Sequence, residues 1–344
     1  MNWYVTRMFS SETNVSNAGF KAKDDVNHFL NEVGFKNVDI KTNVNKFDKF
    51  FKTSHKLRKQ ISFGEDGLLV FQYPLSSRYI SDKLVKMLKA NPNLISVCLV
   101  HDLESLRLSA GNKSFKNNEM KFLNKFDYLI VHNQHMKNWL IKNGVKSSMV
   151  VLEVFDYYKD YSGKNDFSYN ENISYAGNLS KAHFLESIKI KRHKIIVYGL
   201  NQSVAYPQNI IYKGSLPPEE LPKHLHSKYG LVWDGDSISE CSGIYGEYLK
   251  YNTPHKISLY ISAGIPVIVW KKSAMADFIR NNNLGLCVDK VSDLDNILSK
   301  VSDEQYTEIK KNTLAMSKKI SEGYFIKRAL HRILKDRKIS EDFE

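Results

Sequence analysis

The sequence predicts two doubly wound α/β domains in tandem, closed by a C-terminal helix that crosses back to the first. Three observations carry that expectation. Short apolar runs alternate with amphipathic segments of about ten residues, the mark of strands buried on both faces with helical crossovers between them. The alternation dissolves in the polar, aromatic-dotted stretch "DYYKDYSGKNDFSYN" near residues 156–170 and then restarts. The end of the chain is helical in period, with a break at Gly323.

In order, the first domain reads as "NWYVTRMF", a strand; "DDVNHFLNEVGF", a helix; "NVDIKT", a strand; "DKFFKTSHKLRKQI", a helix; and "GLLVFQYP", a strand. It continues with the helix "ISDKLVKMLKAN", the strand "LISVCLVHD", the helix "NEMKFLNKF", the strand "DYLIVHN", the helix "QHMKNWLIKNG" and the strand "SSMVVLEVFDY". The second domain repeats the theme in "NISYAGN", "KIIVYGL", "NIIYKG", "PEELPKHLHS", "YGLVWDG", "HKISLYISAG", "IPVIVW", "SAMADFIRNNN", "LGLCVD" and "VSDLDNILSKV". The expected division is residues 1–155, 156–322 and a final helical segment 323–344.

The 344 residues are enough for two ordinary cores, and a hydrophobic fraction of 42% with 25% charged residues is that of a globular protein. No apolar run approaches the roughly 20 residues that span a bilayer, and the start lacks a signal-peptide core, so a cytoplasmic location is expected. Cys98, Cys241 and Cys287 have neither pairing partners nor metal-ligand spacing, and read as reduced thiols. Lys+Arg 50 against Asp+Glu 37 leaves a net +13, which favours phosphate-bearing partners. Those include a nucleotide, an anionic membrane face at which the protein would sit peripherally, or nucleic acid.

Ligands of open α/β sheets bind beyond the carboxyl ends of the strands, so the loops after strands hold the candidates. "SSETNVSNAGF" places Asn17 and Gly19 before a helix; without G-x-G-x-x-G it is either a capped helix start or a nucleotide loop. In "LVHDLESLR", Asp102 is either a helix cap or a general base, with His101 beside it as orienter or alternative base. In "ISYAGNLSKAHFL", Gly177 and Asn178 permit a tight turn whose amides, with Lys181, would face a phosphate. In "YGLVWDGDSISECSG", Asp234, Gly235 and Asp236, with Glu240, form either a solvated turn or a set of carboxylates facing sugar hydroxyls.

The most informative stretch is "GEYLKYNTPHKISLYISAGIPVIVW". Lys250 and Lys256 bracket "YNTP", Pro254 suits a first helical turn, and Gly264 would end the helix. The arrangement reads either as a basic loop capping a core helix or as a diphosphate clamp centred on Lys256. Asn252, His255 and Ser258 complete the nucleotide-binding candidates of that segment. No metal cluster, nucleophile elbow or Walker loop is visible, so no cofactor and no metal are expected.

"YAGNLSKAHFL", "GLVWDGDS", the Lys256 stretch and "NNNLGLCVD" together resemble bacterial glycosyltransferases of the two-Rossmann GT-B class. The segments match in order and spacing across about residues 1–335. The nearest branches are the β-galactofuranosyltransferases of surface-polysaccharide pathways and the glucosyltransferases that extend O-linked GlcNAc on serine-rich adhesins. The resemblance implies a UDP-sugar held mainly by the second domain and an acceptor met by the first. It implies that Lys181 and Lys256 contact UDP, Lys181 standing where the adhesin enzymes carry arginine. Ser215 falls where the family has a tyrosine near the base. The longer "SISECSGIYGEYLKYN" resembles the galactofuranosyl branch. Also implied are inversion without a metal, UDP-sugar as substrate, a glycan, glycoprotein or lipid-linked acceptor, and a dimer or tetramer. A non-catalytic nucleotide-sugar-binding protein is the rival reading; a nucleic-acid binder is suggested by the net charge alone, and no nucleic-acid partner is expected.

Overall fold

The computed structural model describes residues 1–9, 18–41, 53–75, 77–159 and 170–340, and divides into two compact units, residues 1–152 with 325–344, and 153–324. In unit 1 the strands are β1 (Asn2–Phe9), β2 (Lys36–Lys41), β3 (Gly67–Tyr73), β4 (Leu94–Val100), β5 (Tyr128–Val131) and β6 (Ser148–Val151). The helices between them are α1 (Ala18–Glu32), α2 (Thr53–Gln60), α3 (Arg78–Lys89), α4 (Lys113–Leu123) and α5 (Gln134–Lys142). All six strands are parallel, in the order β2-β1-β3-β4-β5-β6. Burial explains the sequence pattern: β3 and β4, central and covered on both faces, are nearly all apolar, whereas the edge strand β2 alternates buried and exposed residues.

The helices begin where side-chain oxygens can take orphan amides. Ser77, Asn112 and Asn133 accept from the N–H groups of Ile80, Phe115 and Met136 at the starts of α3, α4 and α5.

In unit 2 the strands are β7 (Asn170–Ala176), β8 (Ile195–Tyr198), β9 (Ile210–Tyr212), β10 (Ser227–Val232), β11 (Val267–Trp270) and β12 (Gly285–Val288). Helices α6 (Phe184–Ser187), α7 (Leu221–His224), α8 (Gly243–Tyr248), α9 (His255–Ser262), α10 (Ala276–Asn281), α11 (Leu294–Leu298) and α12 (Asp303–Ser321) connect and cover them. The order β12-β11-β10-β7-β8-β9 reverses direction between β7 and β10, which makes that junction the unit's switch point. The link from β8 to β9 carries no helix, because "GLNQSVAYPQN" is too short, polar and proline-broken to form one.

At the switch point the β7–β10 ladder stops at Ser174 and Gly230. Tyr260 of α9 fills the widening gap: its buried hydroxyl accepts from the Ala176 N–H at 2.8 Å. Its ring lies where a Cβ on Gly230 would stand, 2.3 Å from Cγ, so only glycine fits β10 there. Tyr260→Phe orphans a buried amide and is expected to cost about 1–3 kcal/mol. Urea unfolding followed by circular dichroism measures it, and an unchanged midpoint would count against this account.

Gly264, at φ +71°, ends α9 as expected, with the Ile265 N–H reaching the Tyr260 carbonyl at 2.8 Å in a Schellman closure. Pro254 is the residue before the helix rather than its first turn. The final helix, α13 (Tyr324–Asp336), buries Phe325, Ile326, Ala329, Leu330, Ile333 and Leu334. Its residues from Phe325 onward belong to unit 1. There Lys327 pairs with Glu32, Arg328 donates to the Leu152 carbonyl, and Tyr128 bonds Asp336. Among the described residues, no helix is long and apolar enough to cross a membrane.

Candidate functional site

In unit 2 the loops leaving β7 and β10 part company above the switch point, and Gly177, Asp234 and Lys256 come together there. Lys256, in the first turn of α9, reaches Asp234 Oδ1 at 2.8 Å and the Tyr175 hydroxyl at 3.2 Å. Its ammonium also lies 4.5 Å from the Tyr175 ring centroid. The Lys256 and Asp234 side chains are each only 14% exposed, so their attraction is weakly screened and each needs the other. Burial, then the Asp234 carboxylate, holds the Tyr175 phenol well above its usual range, so it stays a donor. Its hydroxyl lies 3.0 Å from both Asp234 Oδ1 and the Trp233 carbonyl.

Gly177, at φ +153°, takes a backbone conformation that a side chain would strain, close against the Lys256 ammonium. Gly235 joins the two loops, donating its N–H to the Lys181 carbonyl at 2.7 Å and accepting from Phe184 at 3.1 Å. Gly246 lets α8 close over the same turn, since a Cβ would meet the Asp234 carbonyl at 2.9 Å. The Lys181 ammonium sits 4.1 Å from the centroid of Tyr245 on that helix.

Several expectations need correction. The amides of the Gly177 turn do not face outward: those of Gly177, Leu179 and Lys181 bond the carbonyls of Tyr198, Leu200 and Asn178. The amide of Ser180 bonds Asn178 Oδ1, so Asn178 caps the turn and the positive charge at this corner comes from lysine side chains. Ser258 is fully buried, its hydroxyl donating to the Phe155 carbonyl, and presents nothing to a ligand. His255 packs on the Tyr157 ring at 5.1 Å. Lys250 pairs with Glu247 and lies over Trp270 rather than joining Lys256. Ser215, Asp236 and Glu240 are exposed, with no side-chain hydrogen bond to the Lys256 group among the described residues. Asn17 lies outside the described residues. Asn252 is half-buried, and its Oδ1 has no hydrogen-bond donor among the described residues.

Unit 1 holds a second group at the end of β4. His101 extends the ladder, its N–H on the Tyr73 carbonyl at 2.7 Å. Its Nε2 meets Gln72 Oε1 at 2.8 Å, and because the Gln72 amide donates to the Thr6 carbonyl, that nitrogen carries the proton. His101 is thereby anchored in the loop. Asp102 forms an ion pair with Arg107, both side chains about one-quarter exposed.

The turn after Asp102 is organised by a residue that sequence reasoning missed. Buried Glu119 accepts from the Tyr73 hydroxyl at 2.7 Å and from the Glu104 and Ser105 amides at 2.9 and 3.1 Å. Burial pushes the half-buried Glu104 carboxyl up, with Arg107 opposing and Asp102 adding to the rise. Burial lowers Lys23 to about 8, with Asp102 and Glu104 pulling the other way. Burial holds His132, which bonds the Val100 carbonyl, at about 4, so it is neutral at physiological pH. Only the pairing D-L-E in "HDLESLR" hinted at two carboxylates in one loop.

Comparison with known proteins matches both units. The glucosyltransferase 3-like N-terminal domain family matches residues 2–154, and the glucosyltransferase 3-like C-terminal domain family residues 173–333. The beta-1,6-galactofuranosyltransferase WbbI of Escherichia coli (strain K12) is 32% identical over 278 residues, 79% of this chain and 80% of that protein. Glucosyltransferase 3 of Streptococcus parasanguinis is 27% identical over 265 residues, 76% of this chain and 77% of that one. Among solved structures, Anabaena HepE in complex with UDP and glucose aligns with a TM-score of 0.61 at 12% identity, covering 97% of this chain and 100% of that one. Sucrose-phosphate synthase from Thermosynechococcus elongatus aligns with a TM-score of 0.59 at 12% identity, covering 98% and 99%. The fold is that of the GT-B glycosyltransferases.

Proposed function

The chain belongs to the glucosyltransferase 3-like family of bacterial glycosyltransferases, and from that premise we propose that it is an inverting galactofuranosyltransferase. It takes UDP-galactofuranose as donor and a surface glycan or lipid-linked oligosaccharide as acceptor, at the cytoplasmic membrane face and as a homo-oligomer. The observation that carries the reading is Lys256 at the switch point of unit 2, a poorly exposed cation held between Asp234 and Tyr175. A UDP diphosphate takes the place of Asp234 at Lys256, and Asp234, still held by Tyr175, turns to the donor sugar's hydroxyls. Asn252 Oδ1 offers a buried acceptor to a donor group of the nucleotide. Lys181 adds charge from the neighbouring loop, so the departing UDP meets fixed cations and needs no metal.

In unit 1, Asp102 takes the proton of the attacking acceptor hydroxyl, its orientation set by Arg107. The galactofuranosyl choice rests on the similarity to the Escherichia coli enzyme and on the long segment leading into Lys250. The similarity to the streptococcal enzymes supports a second reading, UDP-glucose-dependent glucosyl transfer onto O-linked GlcNAc.

A thermal-shift series with UDP, UDP-glucose, UDP-galactopyranose and UDP-galactofuranose separates the two, because a ligand at 100 times its Kd stabilises the native state by about 2.7 kcal/mol. The largest shift is expected with UDP-galactofuranose, and transfer from it is expected to persist in EDTA. A larger shift with UDP-glucose selects the second reading. No shift with any of the four would refute a UDP-sugar site.

A further inference from the structure

We propose that unit 1 carries a docking surface for anionic phospholipid headgroups in the groove between α3 and α4. The groove, about 750 Å³ in volume, is lined by Arg78, Asp82, Lys86 and Lys89 from one face of α3 and by Lys121 and Lys125 from and just beyond α4. Their spacing is helical. Residues 78, 82, 85, 86 and 89 recur every three or four positions, as do 118, 121, 122 and 125, so two amphipathic helices turn their basic edges to a shared trough.

Its charge is not neutralised from within. Asp82 is the one carboxylate in the lining, and it is already shared by Lys125 at 3.2 Å and Arg78 at 3.9 Å. Lys86, Lys89 and Lys121 are exposed, and none has an acidic partner among the described residues. Along α3, Asp82 stands four residues before Lys86, but it is engaged by Arg78 and Lys125.

The lining favours a phospholipid surface over nucleic acid. Val85 and Phe122 form an apolar floor but are buried to 2% and 7% exposure, and Lys125 lies over the Phe122 ring at 5.5 Å. Phe122 also packs on Phe71 and Phe126, so its face is not offered to a base. Lysine ammonium groups on long stems around an open trough suit a plane of phosphodiesters. They do not make the rigid guanidinium fork that selects a single phosphate. The proposal is independent of the donor site, which lies in unit 2.

Full-length protein is mixed with vesicles of phosphatidylcholine alone and of phosphatidylcholine with 30% phosphatidylglycerol, and bound protein is measured by flotation. Each lysine near an anionic surface raises partition about fivefold. The protein is therefore expected on the anionic vesicles only, released by 0.5 M NaCl, and Lys86→Gln/Lys89→Gln/Lys121→Gln is expected to lower partition about 100-fold. The triple variant should keep the wild-type melting temperature and far-ultraviolet circular dichroism, which shows that it is folded. Equal binding to both vesicle types, no binding by the wild type, or unchanged binding by the folded triple variant would each overturn the proposal. So would a lysine-dependent preference for random duplex DNA over anionic vesicles in direct competition.

Discussion

Lys256→Ala is expected to lower kcat/KM for the UDP-sugar at least 100-fold, a loss of about 2.7 kcal/mol in transition-state stabilisation. The magnitude follows from where the ammonium sits. A cation 14% exposed, beside a buried phenol and a carboxylate equally shielded, acts in a medium far less screening than water. Negative charge grows on the departing UDP in the transition state, so the loss falls on kcat as well as on UDP affinity, and calorimetric titration with UDP gives the second share. The substitution also leaves Asp234 with Tyr175 alone as side-chain partner among the described residues, so a diphosphate now meets an uncompensated carboxylate. Lys256→Ala/Asp234→Asn removes that repulsion and should recover part of the UDP affinity but not the rate. Turnover of Lys256→Ala within threefold of wild type, in a protein whose melting temperature is unchanged, would show that the diphosphate binds elsewhere.

The fold was legible in the sequence because its signals are local. Buried parallel strands have no choice but to be short and apolar, as "LISVCLV" and "VIVW" are, and helices covering them must be amphipathic. The break at Gly323 was readable because a residue at φ +72° between two helical runs is best served by glycine. Lys256 stood out for the same reason, a cation at a helix start beside a proline.

What escaped were partners brought together from distant parts of the chain. Tyr175 looks like any strand aromatic, and nothing around it announces that its hydroxyl meets Asp234, 59 residues on. Glu119 sits in an ordinary helix, yet its carboxylate shapes the loop after Asp102. Helix α8 was missed because Gly243 and Gly246 weaken its period; the second of these glycines is what lets it lie against the Asp234 turn. The outward-facing amides expected after Gly177 failed on a similar point. Whether a turn's N–H groups are free depends on which carbonyls the neighbouring strand loops bring, here those of Tyr198 and Leu200.

Asp102→Asn is expected to lower kcat by about 10²–10⁴-fold while leaving UDP affinity unchanged, since the amide keeps the shape of the side chain but cannot take a proton. Glu104→Gln, two residues away, is expected to cost less than tenfold. The structure makes this comparison sharp, because the two carboxylates share a loop but differ in surroundings. Asp102 is paired with Arg107, whereas burial raises the Glu104 carboxyl, with Arg107 opposing and Asp102 and Glu119 adding to the rise.

A base works only when ionised, so the rate falls as pH drops through its pKa. If Glu104 were the base, the fall would begin at a pH above the ordinary carboxylate range and would vanish from the residual activity of Glu104→Gln. With Asp102 as base, Glu104→Gln keeps the acid-side fall. Arg107→Met removes the partner that orients Asp102 and is expected to lower kcat. A pH–rate profile of the four proteins, taken at saturating donor, decides the assignment. A deep loss in Glu104→Gln with near-normal Asp102→Asn would transfer the role to Glu104 and leave Asp102 as the residue that holds Arg107.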